Sequence, residues 1–352
     1  MKLTENEIRQ RTWEALAICT EGIPFLKEPL TPIELSEGNL RPDLAARITL
    51  PEGEQRILLE CKNVGEPRVA RNAVNQILRY LERYPDYYGV FVAPYISPRS
   101  AEICSKEGIG YLDFAGNCRL CFGKIYIERK GTGNPFAERR DLRSLYSPKA
   151  SRILRVLLND PKRVWKVEGL VEEADVSLGL VSKVKALLRD REWIGEQVDG
   201  FALTEPEALL QEWSQNYRFS KNDVRDFYSL KSVPEIELQI ADVLAQRSVK
   251  YALTGFSGAA RLAPLVRYQR VMAYVDDTQE DVASLLGLKK VTSGANVSLF
   301  TPYDHGVFYG TREIGGILVA SSVQIYLDLI GYRGRGEEAA KELFGQVIRP
   351  RW

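Results

Sequence analysis

Residues 41–62 read RPDLAARITLPEGEQRILLECK, and this stretch decides the fold that we expect for the first part of the chain. It predicts two adjacent strands joined by a turn, with Asp43 at the head of the first strand and Glu60 and Lys62 at the end of the second. Residues two apart on a strand project from the same face of a sheet. Glu60 and Lys62 are therefore expected to point together, while Cys61 points away.

The same stretch predicts chemistry if Asp43 lies beside Glu60. Two carboxylates supply hard oxygen ligands of the kind that Mg²⁺ prefers. A carboxylate-bound Mg²⁺ activates water, and a nearby lysine stabilises the charge that develops on a phosphodiester. The candidate catalytic residues are thus Asp43, Glu60 and Lys62, with Asp43 and Glu60 as candidate Mg²⁺ ligands. The alternative interpretation is a strand pair that carries solvated charges.

The Pro-Asp … Glu-x-Lys pattern resembles the PD-(D/E)xK nuclease superfamily, which has the restriction-endonuclease-like fold. A helix predicted over residues 67–83 carries Gln76 and Tyr80 one turn apart on one face. This pair is similar to the Gln-x-x-x-Tyr helix of the RecB and phage-exonuclease branches, which implies that it shapes the site or contacts DNA. Some members of the superfamily take a further metal ligand from the first helix. Glu7 and Glu14 both remain open for that role, and a solvated surface is the alternative for each.

Composition bounds the class of protein. The chain has 352 residues, enough for two or three domains, and its net charge of +1 means that any nucleic-acid site has to be a local patch. The single histidine, His305, argues against Ser-His-Asp catalysis and histidine-based metal sites. Five cysteines fit a reducing cytoplasm, and Cys118 and Cys121 are interpreted as small buried apolar residues rather than zinc ligands. No transmembrane helix or membrane partner is expected, and the predicted localisation is cytoplasmic.

Residues 147–217 have the clearest local pattern. Helices are predicted to start near Ser147, Trp165 and Leu178, and WIGEQVDGFALTEP predicts a hairpin that turns at Asp199-Gly200. Three helices followed by a hairpin resemble a winged helix-turn-helix, whose third helix enters the major groove while the wing meets phosphates. The residues expected to contact DNA are Ser177, Ser182, Lys183, Lys185 and Arg189, together with Lys162, Arg163 and Lys166. The alternatives are a protein-interaction module, or basic residues that only solvate a small helical domain.

From Pro234 the pattern alternates helices and strands again, which predicts an α+β domain. LTGFSGAARLAPL … MAYVDD loosely resembles a nucleotidyltransferase core, in which a Gly-Ser turn, here Gly255 and Ser257, holds the nucleotide phosphates. The metal-binding aspartates of that fold lie two apart on a strand. Asp276 and Asp277 are adjacent and face opposite ways, so the site is interpreted as degenerate.

The tail, VQIYLDLIGYRGRGEEAAKEL, carries the most specific resemblance. Together with the winged helix and LTGFSGAARL, the motif from Gln324 to Ala340 resembles the AbiEi family over residues 147–352. Members of this family are antitoxins and transcriptional regulators of type IV toxin–antitoxin systems. The resemblance implies a winged helix that binds the operator of its own operon. It also implies a C-terminal domain that counteracts a nucleotidyltransferase toxin without forming a stable complex.

The predicted organisation is therefore an α/β multidomain chain. It comprises a PD-(D/E)xK nuclease-like domain at 1–130, a basic linker at 131–146, a winged helix-turn-helix at 147–217 and an AbiEi-type antitoxin domain at 231–352. The predicted function is a transcriptional regulator that binds double-stranded operator DNA, with a nucleotidyltransferase-like toxin as its functional partner. The alternative is a Mg²⁺-dependent DNA endonuclease that its winged helix directs to a target. A third interpretation uses the nuclease-like fold only as an inactive DNA-binding platform.

Overall fold

The computed structural model describes residues 3–21, 23, 31–33, 41–50, 53–131, 145–263, 268–332 and 334–352. The chain forms two compact units, Met1–Asp141 with Arg189–Glu192, and Leu142–Leu188 with Trp193–Trp352. Both units are mixed α/β, as the sequence predicts. In the described parts of the chain, none of the helices has the length and apolar character needed to cross a membrane.

The first unit is built on a seven-stranded sheet with the order β1-β2-β3-β4-β5-β6-β7. Strands β3, β4 and β5 run parallel, and the other neighbouring pairs are antiparallel. The strands are β1 (Thr31–Pro32), β2 (Leu44–Leu50), β3 (Gly53–Cys61), β4 (Tyr87–Ala93), β5 (Gly110–Asp113), β6 (Cys118–Phe122) and β7 (Ile125–Arg129); the helices are α1 (Glu5–Thr20), α2 (Pro67–Arg83) and α3 (Pro98–Lys106).

The two faces of strand β3 enter two separate hydrophobic cores. Ile57 and Leu59 belong to the core that includes α1, whereas Leu58 belongs to the core that includes α2 and α3. This is the period-two alternation of a strand that is covered on both faces. It directs Glu60 towards α2 and Cys61 towards α1, which is the separation expected from the sequence.

Helix boundaries in this unit follow local signals. Thr4 and Glu7 close a capping box at the start of α1, and Pro67 and Pro98 occupy the first turn of α2 and α3. The helix predicted over residues 67–83 is confirmed as α2, because its apolar positions recur on the one face that packs on the sheet. Asp113, at the end of β5, accepts backbone hydrogen bonds from the turn that follows it, in keeping with the role in turn formation that we expected.

The prediction for the cysteines of this unit was wrong. Cys19 and Cys118 form a disulfide, and Cys121 is exposed rather than buried. The two bonded residues are 99 positions apart in the sequence, so no local pattern links them. They meet because the last turn of α1 packs on the sheet face towards which Cys118 points.

Two predictions fall largely outside the described residues. The strand expected at Ile33–Ser36 can be followed only to Ile33, after the two residues of β1. Most of the basic linker predicted at 131–146 lies in 132–144, beyond the described part.

The second unit begins with three helices and a hairpin. These are α4 (Pro148–Asn159), α5 (Val167–Ala174), α6 (Leu178–Asp190), β8 (Ile194–Gln197) and β9 (Gly200–Leu203). Gln197 pairs with Gly200, so the turn residues are Val198 and Asp199, one position before the expected Asp199-Gly200. A Cβ at Gly200 would lie 2.2 Å from the backbone oxygen of Trp165, so glycine is needed there for the hairpin to approach α5.

The rest of the second unit is a seven-stranded sheet with the order β13-β10-β14-β12-β11-β16-β15, flanked by helices. The strands are β10 (Asp223–Tyr228), β11 (Tyr251–Leu253), β12 (Val271–Val275), β13 (Lys289–Lys290), β14 (Val297–Thr301), β15 (Arg312–Ile314) and β16 (Ile317–Val319); the helices are α7 (Pro206–Asn216), α8 (Val233–Gln246), α9 (Gly255–Leu262), α10 (Gln279–Leu285), α11 (Ser322–Ile330) and α12 (Arg335–Leu343).

Two expectations about this sheet were wrong. The apolar residues Val307, Phe308 and Tyr309 predict a strand over 307–311, but His305–Phe308 is a short 3₁₀ helix, and Gly310, with φ +71°, follows it in a turn. Asp223–Tyr228 was expected to be a polar connector, but it is β10, so the sheet extends upstream of the boundary predicted at residue 231. Most side chains of β10 are exposed or half-buried, and its sequence therefore lacks the apolar alternation that marks a strand.

Candidate functional site

Asp43 and Glu60 lie opposite each other where β2 begins and β3 ends. The antiparallel register pairs Leu44 with Leu59, which brings the preceding Asp43 alongside Glu60. Asp43 Oδ2 accepts a hydrogen bond from the backbone N–H of Cys61 at 2.8 Å. The backbone of β3 therefore fixes the Asp43 carboxylate beside the second carboxylate.

Glu60 is a buried carboxylate with one unsatisfied oxygen. Its residue is 1% exposed, and Oε1 accepts a hydrogen bond from Lys62 Nζ. The other oxygen, Oε2, has no hydrogen-bond partner among the residues that the structure describes. Burial raises the pKa of Glu60; the Lys62 hydrogen bond opposes this shift, and the charge of Asp43 adds to it. Because a buried oxygen without a partner is costly, Oε2 is where a cation or a hydrogen-bond donor would be stabilised.

Gln76 and Tyr80 reach the same group from α2. The Gln76 amide oxygen accepts from Lys62 Nζ at 3.5 Å, and its amide nitrogen donates to the Tyr80 hydroxyl. That hydroxyl donates to the backbone carbonyl of Arg41 at 2.9 Å. It also lies close enough to Glu60 to oppose the rise in the pKa of that carboxyl group. Burial raises the pKa of Tyr80 to about 12. Gln76 thus orients Lys62, while Tyr80 anchors the segment that leads to Asp43.

Glu7 and Glu14, the two candidate ligands on α1, have other contacts. Glu7 accepts from the backbone N–H of Thr4 at 2.7 Å, and this hydrogen bond lowers the pKa of Glu7. Glu14 accepts from Gln10 at 3.4 Å and lines a cavity of about 380 Å³ that the Cys19 side of α1 borders. The structure therefore gives neither residue a place beside Glu60.

The carboxylates of Asp43 and Glu60 fit a hard cation that takes most of its other ligands from water or substrate. In the described ranges, no cluster of three or more His, Cys, Asp and Glu residues is arranged to hold a metal ion. Two carboxylates, one with an unsatisfied buried oxygen, match the way proteins bind Mg²⁺, which keeps several water or substrate ligands.

The residues predicted to contact DNA are mainly exposed. Those on α6 or around it that project into solvent are Ser177, Ser182, Lys183 and Arg189, and those before and at the start of α5 are Lys162, Arg163 and Lys166. Lys185 differs, because its Nζ donates to Glu196 Oε2 at 3.2 Å and lies 4.7 Å from the centre of the Phe201 ring. Lys185 therefore holds the hairpin against α6 and is less available than its neighbours.

The residues that resemble a nucleotidyltransferase turn are used for packing. Ser257 is fully buried; its Oγ accepts from the backbone N–H of Met272 at 2.8 Å and donates to the carbonyl of Arg270 at 3.2 Å. Asp276 pairs with His305 at 2.9 Å, and Asp277 caps the next turn. Ser257 joins α9 to β12 and is not free to hold a phosphate.

The tail motif forms a buried polar cluster instead. The Gln324 side-chain oxygen accepts two hydrogen bonds from Arg155, at 2.9 and 2.6 Å, and its amide nitrogen donates to Asp328 Oδ1 at 2.8 Å. Asp328 also accepts from Tyr217, Tyr274 and Thr254. Burial raises the pKa of Asp328 to about 6, against the effect of these four donors.

Arg155 was not predicted from the sequence, and neither were the other partners of the tail motif, Tyr217, Tyr274 and Thr254. Arg155 is fully buried on α4, within the run RILRVLL. The available signal is that α4 is apolar around most of its circumference, so a charged residue in the middle of it has to be paired in the interior. Its partner, 169 residues away, has no local signature.

Comparisons with solved structures concern about a third of the chain. A repair endonuclease from Pyrococcus abyssi is 19% identical over 32% of this chain and 47% of that chain, with a TM-score of 0.23. EndoMS in its apo form is 19% identical over 32% and 47%, with a TM-score of 0.22. An EndoMS–dsDNA2 complex is 20% identical over 32% and 46%, with the same TM-score. The matches thus span less than half the length of those chains.

No curated protein matches the chain. A family model does match its C-terminal part, across α7 to α12 and the second sheet. Residues 202–349, which contain the buried Gln324–Asp328 cluster, are similar to the family described as "Transcriptional regulator, AbiEi antitoxin, Type IV TA system".

Proposed function

We propose that the protein is a DNA-binding transcriptional regulator of the AbiEi antitoxin type. The observation that carries the proposal is the match of residues 202–349 to a family of transcriptional regulators and antitoxins. The three helices α4, α5 and α6 and the following hairpin support it, because this is the element order of a winged helix-turn-helix. Because operator DNA lies in the cytoplasm, we expect such a regulator to act there.

DNA contact is assigned to the exposed face of α6 and to the residues around α5. Ser177, Ser182 and Lys183 would face the major groove, with Arg189 at the far end of the helix. Lys162, Arg163 and Lys166 would meet phosphates, which position a protein on DNA without reading its sequence. Lys185 would act indirectly, by holding the hairpin in place.

The antitoxin part of the proposal concerns the second sheet and its helices. We infer from the same family match that the protein regulates transcription of its own operon and counteracts a toxin. We infer that this toxin is nucleotidyltransferase-like. A gene for such an enzyme beside the gene for this protein would support the inference.

A gel-shift experiment with the DNA upstream of the protein's own operon tests DNA binding. Wild type is expected to shift this DNA in preference to unrelated DNA, and Lys183→Ala is expected to weaken the shift. Lys341→Ala is the matched control, because Lys341 is an exposed lysine on α12 whose loss removes the same charge. Equal binding of related and unrelated DNA, or equal effects of the two variants, would count against the assignment.

A second candidate function is a Mg²⁺-dependent DNA endonuclease. The observation that favours it is the unsatisfied Glu60 Oε2 beside Asp43 and Lys62. Asp43 and Glu60 would hold the metal, which supplies Lewis-acid activation of water when bound. Lys62 would stabilise charge on the phosphate, with Gln76 and Tyr80 holding Lys62 and Asp43 in position.

Plasmid cleavage with Mg²⁺ or Mn²⁺ tests this candidate. If the domain is catalytic, wild type is expected to nick or cut the plasmid, and Asp43→Ala is expected to abolish cleavage. Asp86→Ala, which removes an exposed carboxylate after α2, is expected to leave it unchanged. Equal inertness of all three proteins on many substrates would favour an inactive DNA-binding platform.

A further inference from the structure

The turn between α5 and α6 is held by a segment of the C-terminal domain, which we call the 304–309 loop (Asp304 to Tyr309). Arg152 of α4 lies between them. Its Nε donates to both carboxylate oxygens of Asp304, at 2.9 and 3.2 Å. Its Nη1 donates to Asp175 in the turn, at 2.7 Å to the carboxylate and 3.3 Å to the backbone carbonyl. One guanidinium thus joins α4, the turn and the 304–309 loop.

The Arg152–Asp304 part of this contact is largely protected from water, whereas the Asp175 part is exposed. The side chains of Arg152 and Asp304 are 17% and 7% exposed, whereas that of Asp175 is 92% exposed. A Cβ on Gly306 would lie 2.8 Å from Arg152 Cγ, so the loop backbone packs directly on the stem of the arginine. Charge pairs with this degree of burial are screened less than surface pairs and are correspondingly more sensitive to loss of a partner.

A second, independent contact joins the 304–309 loop to α5. The Tyr309 hydroxyl donates to Glu173 Oε1, at the end of α5, at 2.8 Å. The loop is itself fixed on its other side, because His305 pairs with Asp276 at the end of β12 and Val307 is fully buried. The C-terminal sheet therefore holds the last turn of α5 at one point and the following turn at another.

The turn needs such support. Asp175 adopts a left-handed conformation, with φ 49° and ψ 60°, which is sterically unfavourable for a non-glycine residue. Ser177, immediately before α6, is two residues further on. An unpaired aspartate at that place would also put negative charge at the N-terminus of α6, where a DNA phosphate would otherwise be favoured.

We propose that Arg152, Asp304 and Tyr309 are positioning residues for DNA binding, through which the C-terminal domain sets the orientation of α5 and α6. The inference rests on the proposed DNA-binding function. It adds that operator affinity depends on residues more than a hundred positions from the DNA-facing helix. A protein partner that displaces the 304–309 loop would release the DNA-binding helices.

Two substitutions separate positioning from simple charge. Asp304→Asn removes a negative charge near the DNA-binding helices, so long-range electrostatics alone predicts tighter DNA binding. If Asp304 acts by positioning the helices, Asp304→Asn is expected to bind DNA about tenfold more weakly, because a partly buried charged hydrogen bond is lost. Tyr309→Phe changes no charge and removes only the hydroxyl that contacts Glu173. Positioning predicts weaker binding for it as well.

Fluorescence anisotropy of the full-length protein with labelled DNA from upstream of its own operon measures these effects. Asp242→Asn and Tyr228→Phe, at exposed positions on α8 and β10, make the same chemical changes away from the loop and are expected to bind like wild type. Hydrogen–deuterium exchange of residues 167–177 gives a second readout without DNA. It is expected to be faster in Asp304→Asn and Tyr309→Phe than in the controls.

The possible results test the positioning role and the proposed DNA-binding function separately. Weaker binding and faster exchange in both loop variants would support positioning. If wild type binds this DNA and both Asp304→Asn and Tyr309→Phe bind it equally well or more tightly, the positioning inference is overturned. The proposed function would still stand. Wild type that binds no DNA would overturn the proposed function, and the positioning role with it. If Asp304→Asn fails to fold, Tyr309→Phe decides, because it removes a single oxygen.

Discussion

The Glu60 carboxylate shows how much a single residue can indicate about function. A buried oxygen without a partner is unfavourable for folding, and native proteins retain such groups mostly where they bind something. The spacing of Glu60 and Lys62 made their common direction predictable, because it depends only on the period of a strand. The unsatisfied oxygen was not predictable, because it depends on contacts between segments that are distant in the sequence.

Asp328 leads to a prediction about pH. Its pKa in the folded protein is about 6, above the ordinary value of 3.8. The folded state therefore binds this proton more tightly than the unfolded state, and this group makes the protein more stable as the pH falls from about 6 towards 4. The contribution approaches about 3 kcal/mol, since each pKa unit corresponds to about 1.4 kcal/mol.

Urea unfolding of wild type and Asp328→Asn at pH 7 and pH 5 measures this effect. The difference in unfolding free energy between the two proteins is expected to shift in favour of wild type at the lower pH. Asp242→Asn, an exposed aspartate on α8, is the control and should follow wild type at both values. A wild-type advantage that is the same at both pH values would contradict a raised pKa at Asp328.

At the scale of elements, local signals were sufficient where one face of an element packs on a core. The helix at 67–83 has proline at its start and one apolar face, and its boundaries could be read from the sequence. Neither strand β10 nor the 3₁₀ helix at His305–Phe308 could be predicted from the sequence. Most side chains of the first are exposed or half-buried, so it lacks an apolar alternation, and the second is an apolar run whose backbone follows a turn rather than a strand.

The disulfide that joins α1 to β6 gives the prediction at this scale. It closes a loop of about 100 residues, for which the loss of chain entropy in the unfolded state corresponds to roughly 4 kcal/mol of stability. Reduction, or Cys19→Ser, is expected to lower the unfolding free energy of the first unit by this order and to increase hydrogen exchange in α1.

Cys121→Ser is the matched control for the disulfide, because Cys121 is exposed and unpaired in the described structure. It should unfold like wild type, and reduction should destabilise both proteins equally. A wild-type protein whose stability is the same with and without reductant would contradict a structural role for the Cys19–Cys118 bond.

At the scale of the whole molecule, net charge constrains how DNA binding is achieved. A chain of net charge +1 has no overall field that attracts a polyanion, so the proposed affinity for DNA would have to come from the exposed basic residues of α6 and of the segment before α5. The sequence alone led to the proposal of these residues as DNA contacts, and the resemblance to the AbiEi family that it carries is supported over residues 202–349. The sequence did not indicate that the 304–309 loop contacts Arg152 of α4 and Glu173 of α5, because those contacts bring together residues more than a hundred positions apart.

The salt dependence of binding to the DNA upstream of the protein's own operon tests the central claim most directly. We expect the protein to bind this DNA with a sequence preference and with an affinity that falls steeply as salt is added. Lys183→Ala should lower the slope of log affinity against log salt by about one, because one phosphate-neutralising charge is lost. Lys341→Ala should leave that slope unchanged. Binding that has no sequence preference, or a slope that Lys183→Ala and Lys341→Ala leave equally unaltered, would contradict the assignment of DNA binding to α6.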